Sequence, residues 1–330
     1  MSIRLVQYLD SEHFPQVARV EENTLIPLEK LHTTYELVKA AVVNLKKLSQ
    51  IIDDYTGNRK IDYEQIVATQ RLLPPVMHPD PVRFWITGTG LTHLGSAAQR
   101  DAMHTTLEGE KGLTDTMKMF KMGLEGGKPP AGQVGVQPEW FYKGNGYSIV
   151  APEAPLVSPG FAEDGGEEPE ICGLYYIADD HTPYRIGFAL GNEFSDHIME
   201  KRNYLYLAHS KLRPSSFGPE LLVGDLPEHI EGTVRIIRNN ETFWEATFLS
   251  GEKNMSHSVA NLEAHHFKYE LFRNPGDLHC HYFGTAMLSF GQGIQTQEGD
   301  IFEITAPPFG KPLRNTLKNK SYQPITIKSL

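Results

Sequence analysis

The run "EEPEICGLYY", residues 167–176, places Glu168 and Glu170 two positions apart at the head of a segment whose Cys172, Leu174, Tyr175 and Tyr176 suit a buried strand. Successive strand side chains alternate between faces, so the two carboxylates point the same way. Like charges this close repel, and burial strengthens the repulsion. A divalent cation removes the conflict. Downstream, "IGFALGNEFSDH" ends a second apolar strand on Glu193, directly after Gly191 and Asn192. Three carboxylates at strand ends form an all-oxygen set that suits a hard ion. Mg²⁺ takes such ligands octahedrally, keeps some waters, and leaves positions for a substrate's own oxygens; Mn²⁺ or Ca²⁺ are the expected substitutes. The plainer alternative is three ordinary solvated edge residues.

The elements that must position these groups follow from the rest of the chain. Its 330 residues exceed the usual single-domain size, and 40% hydrophobic with 22% charged residues supports a large core. A net charge of −10 argues against nucleic acid or an anionic membrane as the main partner. The segment "MSIRLVQYLD" lacks the apolar core of a signal peptide, so a cytoplasmic location is expected. Cys172 and Cys280 both lie in strand-like sequence and fit reduced core residues.

Residues 3–8, "IRLVQY", predict a first strand. Thr33 to Ile52 predicts one helix, with Thr33 and Glu36 as a capping box and Val38, Ala41, Val42, Leu45, Leu48 and Ile52 along one face. "LLPPVMHPDPVRF" interrupts regular structure with four prolines. The expected division is a small N-terminal α+β domain over 1–79 and a β-rich domain over 80–330. A second helix is predicted over 96–122. From Val134 onward, short β-type runs dominate, and "RNNE" between "GTVRIIRN" and "TFWEATFL" signals a two-residue hairpin. The fold class expected is therefore α+β, with a rolled mixed β-sheet or barrel.

Across residues 72–305 the order of motifs resembles the fumarylacetoacetate hydrolase superfamily. "LLPPV" followed by "GTGLTHLGS" looks like its entry to the catalytic domain, "PEWFYKG" like its Pro-x-x-Phe-x-Lys segment, and "EEPEICG" like its Glu-x-Glu pair. "GNEFSD" stands where the family has Asn-Asp. "RPSSFGPELLVG", "NPGDLHCHYFGTAMLSFGQG" and "QEGDIFEI" are similar to its Gly-Pro, Gly-Thr and Gly-Asp segments. The resemblance implies that Glu168, Glu170 and Glu193 are metal ligands and that His93 faces the metal. It also implies a homodimer acting on a small 2-keto acid.

Two departures bear on the reaction. Glu193 replaces the usual Asp. Ser96 stands where the family's hydrolases carry a Glu that orients the catalytic His toward water, and a serine cannot supply that charge. The branch that fits better is the 2-keto-3-deoxy sugar-acid dehydratases. On that likeness Lys211 and Glu139 are the acid–base pair, in either order, with His93 as a third catalytic residue. Gly284, Thr285, Ser96 and Glu252 (in "FLSGEKNMSHS") then contact the substrate. A cation beside Lys211 is expected to lower its pKa, and an apolar wall of Trp140 and Phe141 to keep Glu139 protonated. The expected function is Mg²⁺-dependent dehydration of a 2-keto-3-deoxy pentonate to 2,5-dioxopentanoate. The runner-up is hydrolysis of a carbon–carbon bond in a 2,4-diketo acid, and a non-enzymatic sugar-acid binder is a third reading. "HCH" at 279–281 and "HH" at 265–266 raise zinc, but no third ligand stands at a typical spacing. "GTGLTHLG" lacks the Lys-Ser/Thr of a phosphate cradle.

Overall fold

The computed structural model describes residues 2–95 and 114–330. Its strands form two mixed sheets, one of 13 strands and one of five, with short helices around them. This is the β-rich α+β class that the sequence predicts. In the large sheet the strands Pro183–Asn192, Pro169–Ile177, Leu278–Tyr282 and Phe84–Gly90 lie side by side in that order. Among the first three each strand is antiparallel to its neighbour, and the last pair is parallel. Every residue of Pro169–Ile177 is buried, which explains why that segment reads as a nearly continuous apolar run.

One face of these central strands carries Cys172, Leu174, Cys280 and Tyr282 against Leu37, Val38, Ile51 and Ile52 of two helices. Elsewhere along them Ile171, Phe188 and Leu190 pack on Val234, Ile236, Phe302 and Ile304 of the five-stranded sheet. Layers on both faces leave the strand ends as the place where polar groups gather. Both cysteines are buried and free, as expected. The strand Ile3–Leu9 pairs with Glu220–Val223, so the first 79 residues share the large sheet with the remainder. Among the described residues no helix is long and apolar enough to cross a membrane.

Local predictions meet mixed outcomes. Asn239 and Asn240 take left-handed φ of 53° and 64° in the hairpin joining Ile230–Arg238 to Glu241–Ser250, as "RNNE" implies. The Thr33–Glu36 capping box forms. The single helix over 33–52 does not: two helices, Thr34–Val43 and Leu48–Tyr55, replace it. The first ends in a Schellman closure, with Lys46 N–H donating to Ala41 O and Leu45 N–H to Val42 O. Leu45 occupies the left-handed position at φ 52° and is exposed rather than on the buried face. Glycine usually marks that position, and a leucine there hides the break. Of the helix predicted over 96–122, residues 96–113 lie outside the described residues; a helix Asp115–Gly126 is present, capped by Thr114.

Candidate metal and proton-transfer site

Strand register assembles the carboxylates. Pro169 pairs with Asn192 and Glu170 with Gly191. Glu193 N–H then donates to Glu168 O at 3.0 Å, and Glu168 N–H to the Asn192 side-chain oxygen at 3.3 Å. One strand ends where its neighbour begins, so Glu168, Glu170 and Glu193 converge. They are buried, and one oxygen of each lies within 4.8 Å of the others.

Buried cations contact two of the three. Lys211 Nζ touches Glu168 Oε1 and lies 2.7 Å from Glu193 Oε2, over the Phe141 ring at 5.2 Å. Lys143 Nζ pairs with Glu193 Oε1 and donates to Phe194 O at 2.6 Å and Lys211 O at 3.0 Å. His197 bridges Glu168 and Asp164, with both contacts at 3.2 Å. Burial alone lowers the His197 pKa, but its hydrogen bonds to these two carboxylates carry it up to about 10. Burial likewise raises Glu168, and Lys211 with His197 outweighs it, holding that carboxylate below its ordinary range.

Glu170 differs. Its one hydrogen bond among the described residues comes from Gly284 N–H at 2.7 Å, and it has no cationic partner there. Burial, then Glu193 and Glu168, push its pKa well above the carboxylate range. A buried carboxylate aimed at two others with no cation of its own is the arrangement a divalent ion relieves. The donor set therefore fits a hard divalent cation, which Glu168, Glu170 and Glu193 could hold.

Burial lowers the Lys211 pKa, but Glu168, Glu193 and Glu200 together raise it above the ordinary lysine value. A cation on the same carboxylates, on which the sequence expectation of a lowered value rests, acts in the opposite sense to them. Glu139 begins the strand Glu139–Asn145, on the same face as Phe141 and Lys143 by strand alternation. Its carboxylate accepts from Tyr204 OH at 2.9 Å. Trp140 alternates to the next strand position, where its indole N–H donates to His266 Nδ1 at 3.3 Å.

His93 is buried, with Nε2 3.1 Å from Ser250 Oγ and Nδ1 3.1 Å from Thr92 Oγ1. Burial lowers its pKa to about 3, so it is a neutral imidazole. It lies beside the Gly284 turn: a Cβ at Gly284 would sit 3.6 Å from His93 Nδ1. Thr285 follows in that turn and accepts from Met287 N–H at 3.2 Å. Glu252 accepts from Val259 N–H at 2.8 Å and thereby caps the helix Val259–Phe267. Ser96 lies outside the described residues.

Gly284 has φ 94°, and a Cβ would press on Thr92 Oγ1 and lie 2.8 Å from Thr89 O. Gly284→Ala is expected to destabilise the fold by about 1–3 kcal/mol in denaturant unfolding, through the left-handed strain alone. The displaced turn withdraws the N–H that anchors Glu170, so Mg²⁺ binding measured by calorimetry should weaken as well. Wild-type values for both would show that the turn positions nothing.

Sequence reasoning missed two groups. Lys143 closes the "PEWFYK" segment and ties Glu193 to the Lys211 backbone; the motif was legible, the role was not. His197 closes "GNEFSDH" and braces Glu168. His266 also joins His279 and His281 on the far face, with its Nε2 3.0 Å from His279 Nδ1. Among the described residues only the glutamate trio brings three metal-binding side chains within 4.8 Å of one another.

No family model matches this sequence, and no curated protein does. Solved structures do. The structure of 2-keto-3-deoxy-D-arabinonate dehydratase complexed with magnesium and 2,5-dioxopentanoate matches at 18% identity and TM-score 0.70, covering 97% of this chain and 100% of that one. Its apo form matches at 17% identity with the same TM-score and coverage. The 2-hydroxyhepta-2,4-diene-1,7-dioate isomerase from Mycobacterium marinum matches at 16% identity and TM-score 0.60, again over 97% and 100% of the two chains. The chain therefore has the fold of these dehydratase and isomerase structures, the fold implied by its resemblance to the fumarylacetoacetate hydrolase superfamily.

Proposed function

We propose that this chain is a member of that superfamily and a Mg²⁺-dependent dehydratase, converting a 2-keto-3-deoxy pentonate to 2,5-dioxopentanoate and water. The observation that carries the reading is Lys211: a buried amine against two of three convergent carboxylates, with Glu139 on the adjoining strand face. The likeness to a dehydratase complexed with magnesium and 2,5-dioxopentanoate supports the substrate class.

Glu168, Glu170 and Glu193 would hold the Mg²⁺, which would supply electron withdrawal from the 2-keto group and so make C3 more acidic. Lys211 and Glu139 divide the proton transfers, one taking the C3 proton and the other protonating the departing C4 hydroxyl. Lys143 fixes Glu193 and the Lys211 backbone, while His197 fixes Glu168. The Gly284–Thr285 turn, beside neutral His93, receives the substrate carboxylate. The C3–H and C4–O bonds break, a C5 C–H proton and the C5 hydroxyl proton leave, and protons return to C3 and C4, so the third proton leaves with the C4 hydroxide as water. C5 ends as an aldehyde, with one water lost and all five carbons kept.

Carbon NMR of the product tests this. With Mg²⁺ and a 2-keto-3-deoxy pentonate, 2,5-dioxopentanoate is expected as the sole carbon product. Pyruvate release from a 2,4-diketo acid, with no turnover of any 2-keto-3-deoxy pentonate, would overturn the reading in favour of a carbon–carbon bond hydrolase.

A further inference from the structure

The segment 321–330, "SYQPITIKSL", is fully exposed, including Tyr322, Ile325, Ile327 and Leu330. Among the described residues it makes no backbone hydrogen bond, and no strand contains it. Its composition suits a strand: Ile325, Thr326 and Ile327 are consecutive β-branched residues, a run that favours pleated backbone. The root of the segment is fixed. Lys320 N–H donates to Ser158 O at 3.0 Å. The Tyr322 backbone rests directly on Gly160, where a Cβ would collide with it and lie 2.5 Å from Ser321 C. The chain thus leaves the edge of the five-stranded sheet in a set direction, carrying strand-forming residues that pair with nothing in their own molecule.

At the opposite end of that sheet lies an edge with the complementary property. The five strands run in the order Glu241–Ser250, Ile230–Arg238, Ile301–Thr305, Leu313–Asn319, Leu156–Ser158. Glu241–Ser250 is ten residues long, holds no proline or lysine, and among the described strands pairs only with Ile230–Arg238. Natural sheets blunt such edges or cover them, because unpaired N–H and C=O groups invite a further strand. Its outer positions include exposed Phe243 and Leu249, and it begins with Glu241, whereas the segment carries Lys328. Three inter-strand steps of about 4.8 Å separate this edge from the strand Leu313–Asn319 that the segment follows, so reaching it within one molecule means crossing the sheet.

We propose that residues 321–330 form an exchange arm that adds as a strand to the Glu241–Ser250 edge of a second copy of this chain. Reciprocal exchange makes a closed pair, with backbone hydrogen bonds supplying affinity and the isoleucines supplying fit. The inference is independent of the reaction assigned above.

Amide hydrogen exchange on the full-length protein tests it, run across a dilution series alongside light scattering. At concentrations where light scattering shows a dimer, the amides of 325–328 and those on the free edge of 241–250 are expected to be protected together. Both should lose protection on dilution to monomer. The double variant Ile325→Asp with Ile327→Asp should shift the concentration for half-dimerisation upward by tenfold or more and abolish protection at both sites. Since these side chains touch nothing in their own molecule, its melting temperature as a monomer should match wild type. Unprotected exchange at 325–328 in the dimer would overturn the proposal, as would protection that persists unchanged in the monomer. Protection of 325–328 with the 241–250 edge still exchanging freely would overturn the assigned surface.

Discussion

Replacing Lys211 with Met lowers turnover about a hundredfold or more, the range expected when a group that moves a proton is removed. Methionine fills similar space and keeps the apolar contact with Phe141, so the loss reports the amine rather than a cavity. Two features of the site keep the variant folded: Lys143 still pairs with Glu193, and His197 still braces Glu168. Lys211 also competes with a metal ion for oxygens of Glu168 and Glu193. Mg²⁺ affinity should therefore hold or rise while turnover falls, a split that general damage to the fold cannot produce. Lys211→Arg should not restore activity, because guanidinium stays protonated across the accessible pH range. Measurement of kcat, KM and the calorimetric Mg²⁺ affinity on both variants checks the set. Near-normal turnover in the Met variant would move proton transfer to Glu139 and His93.

The carboxylate trio was legible in the sequence because strand alternation is a short-range rule. Glu168 and Glu170 had to share a face, and Glu193 closed the next apolar strand. What alternation cannot give is register, since that depends on which residues of two strands pair. The pairing of Glu170 with Gly191 is what turns two separate strand ends into one site. Non-local contacts hid the charge balance for the same reason. Lys143 lies 50 residues from Glu193, and the two carboxylates on Lys211 flank different strands, so the pairing of these amines with the trio is not readable from local sequence. Glu252 has a second engagement that its motif does not show: its carboxylate accepts from the N–H of Val259, seven residues on, at the N-terminus of a helix. Periodicity likewise recovered the faces of the two N-terminal helices but fused them, because the break at Leu45 carries no glycine.

Glu170→Gln should weaken Mg²⁺ binding about tenfold or more, the scale on which losses around a metal site act. The substitution preserves shape and leaves an oxygen to accept the Gly284 N–H, so the anchoring turn stays in place. It removes the one carboxylate of the trio that has no cationic partner among the described residues and that burial and its two neighbours most disfavour as an anion. The metal-free protein should accordingly melt at the same temperature as wild type or higher, since a buried source of like-charge repulsion is gone. With the ion present the order reverses. A ligand that binds only the folded state stabilises it by about 2.7 kcal/mol at a hundredfold excess over Kd, and a tenfold weaker Kd leaves about 1.4 kcal/mol at the same concentration. Melting curves recorded with and without Mg²⁺ should therefore cross between the two proteins, and calorimetry should give the matching loss in affinity. An unchanged Mg²⁺-dependent gain in the variant would remove Glu170 from the ligand set and leave Glu168 and Glu193 to hold an ion already contested by two lysines.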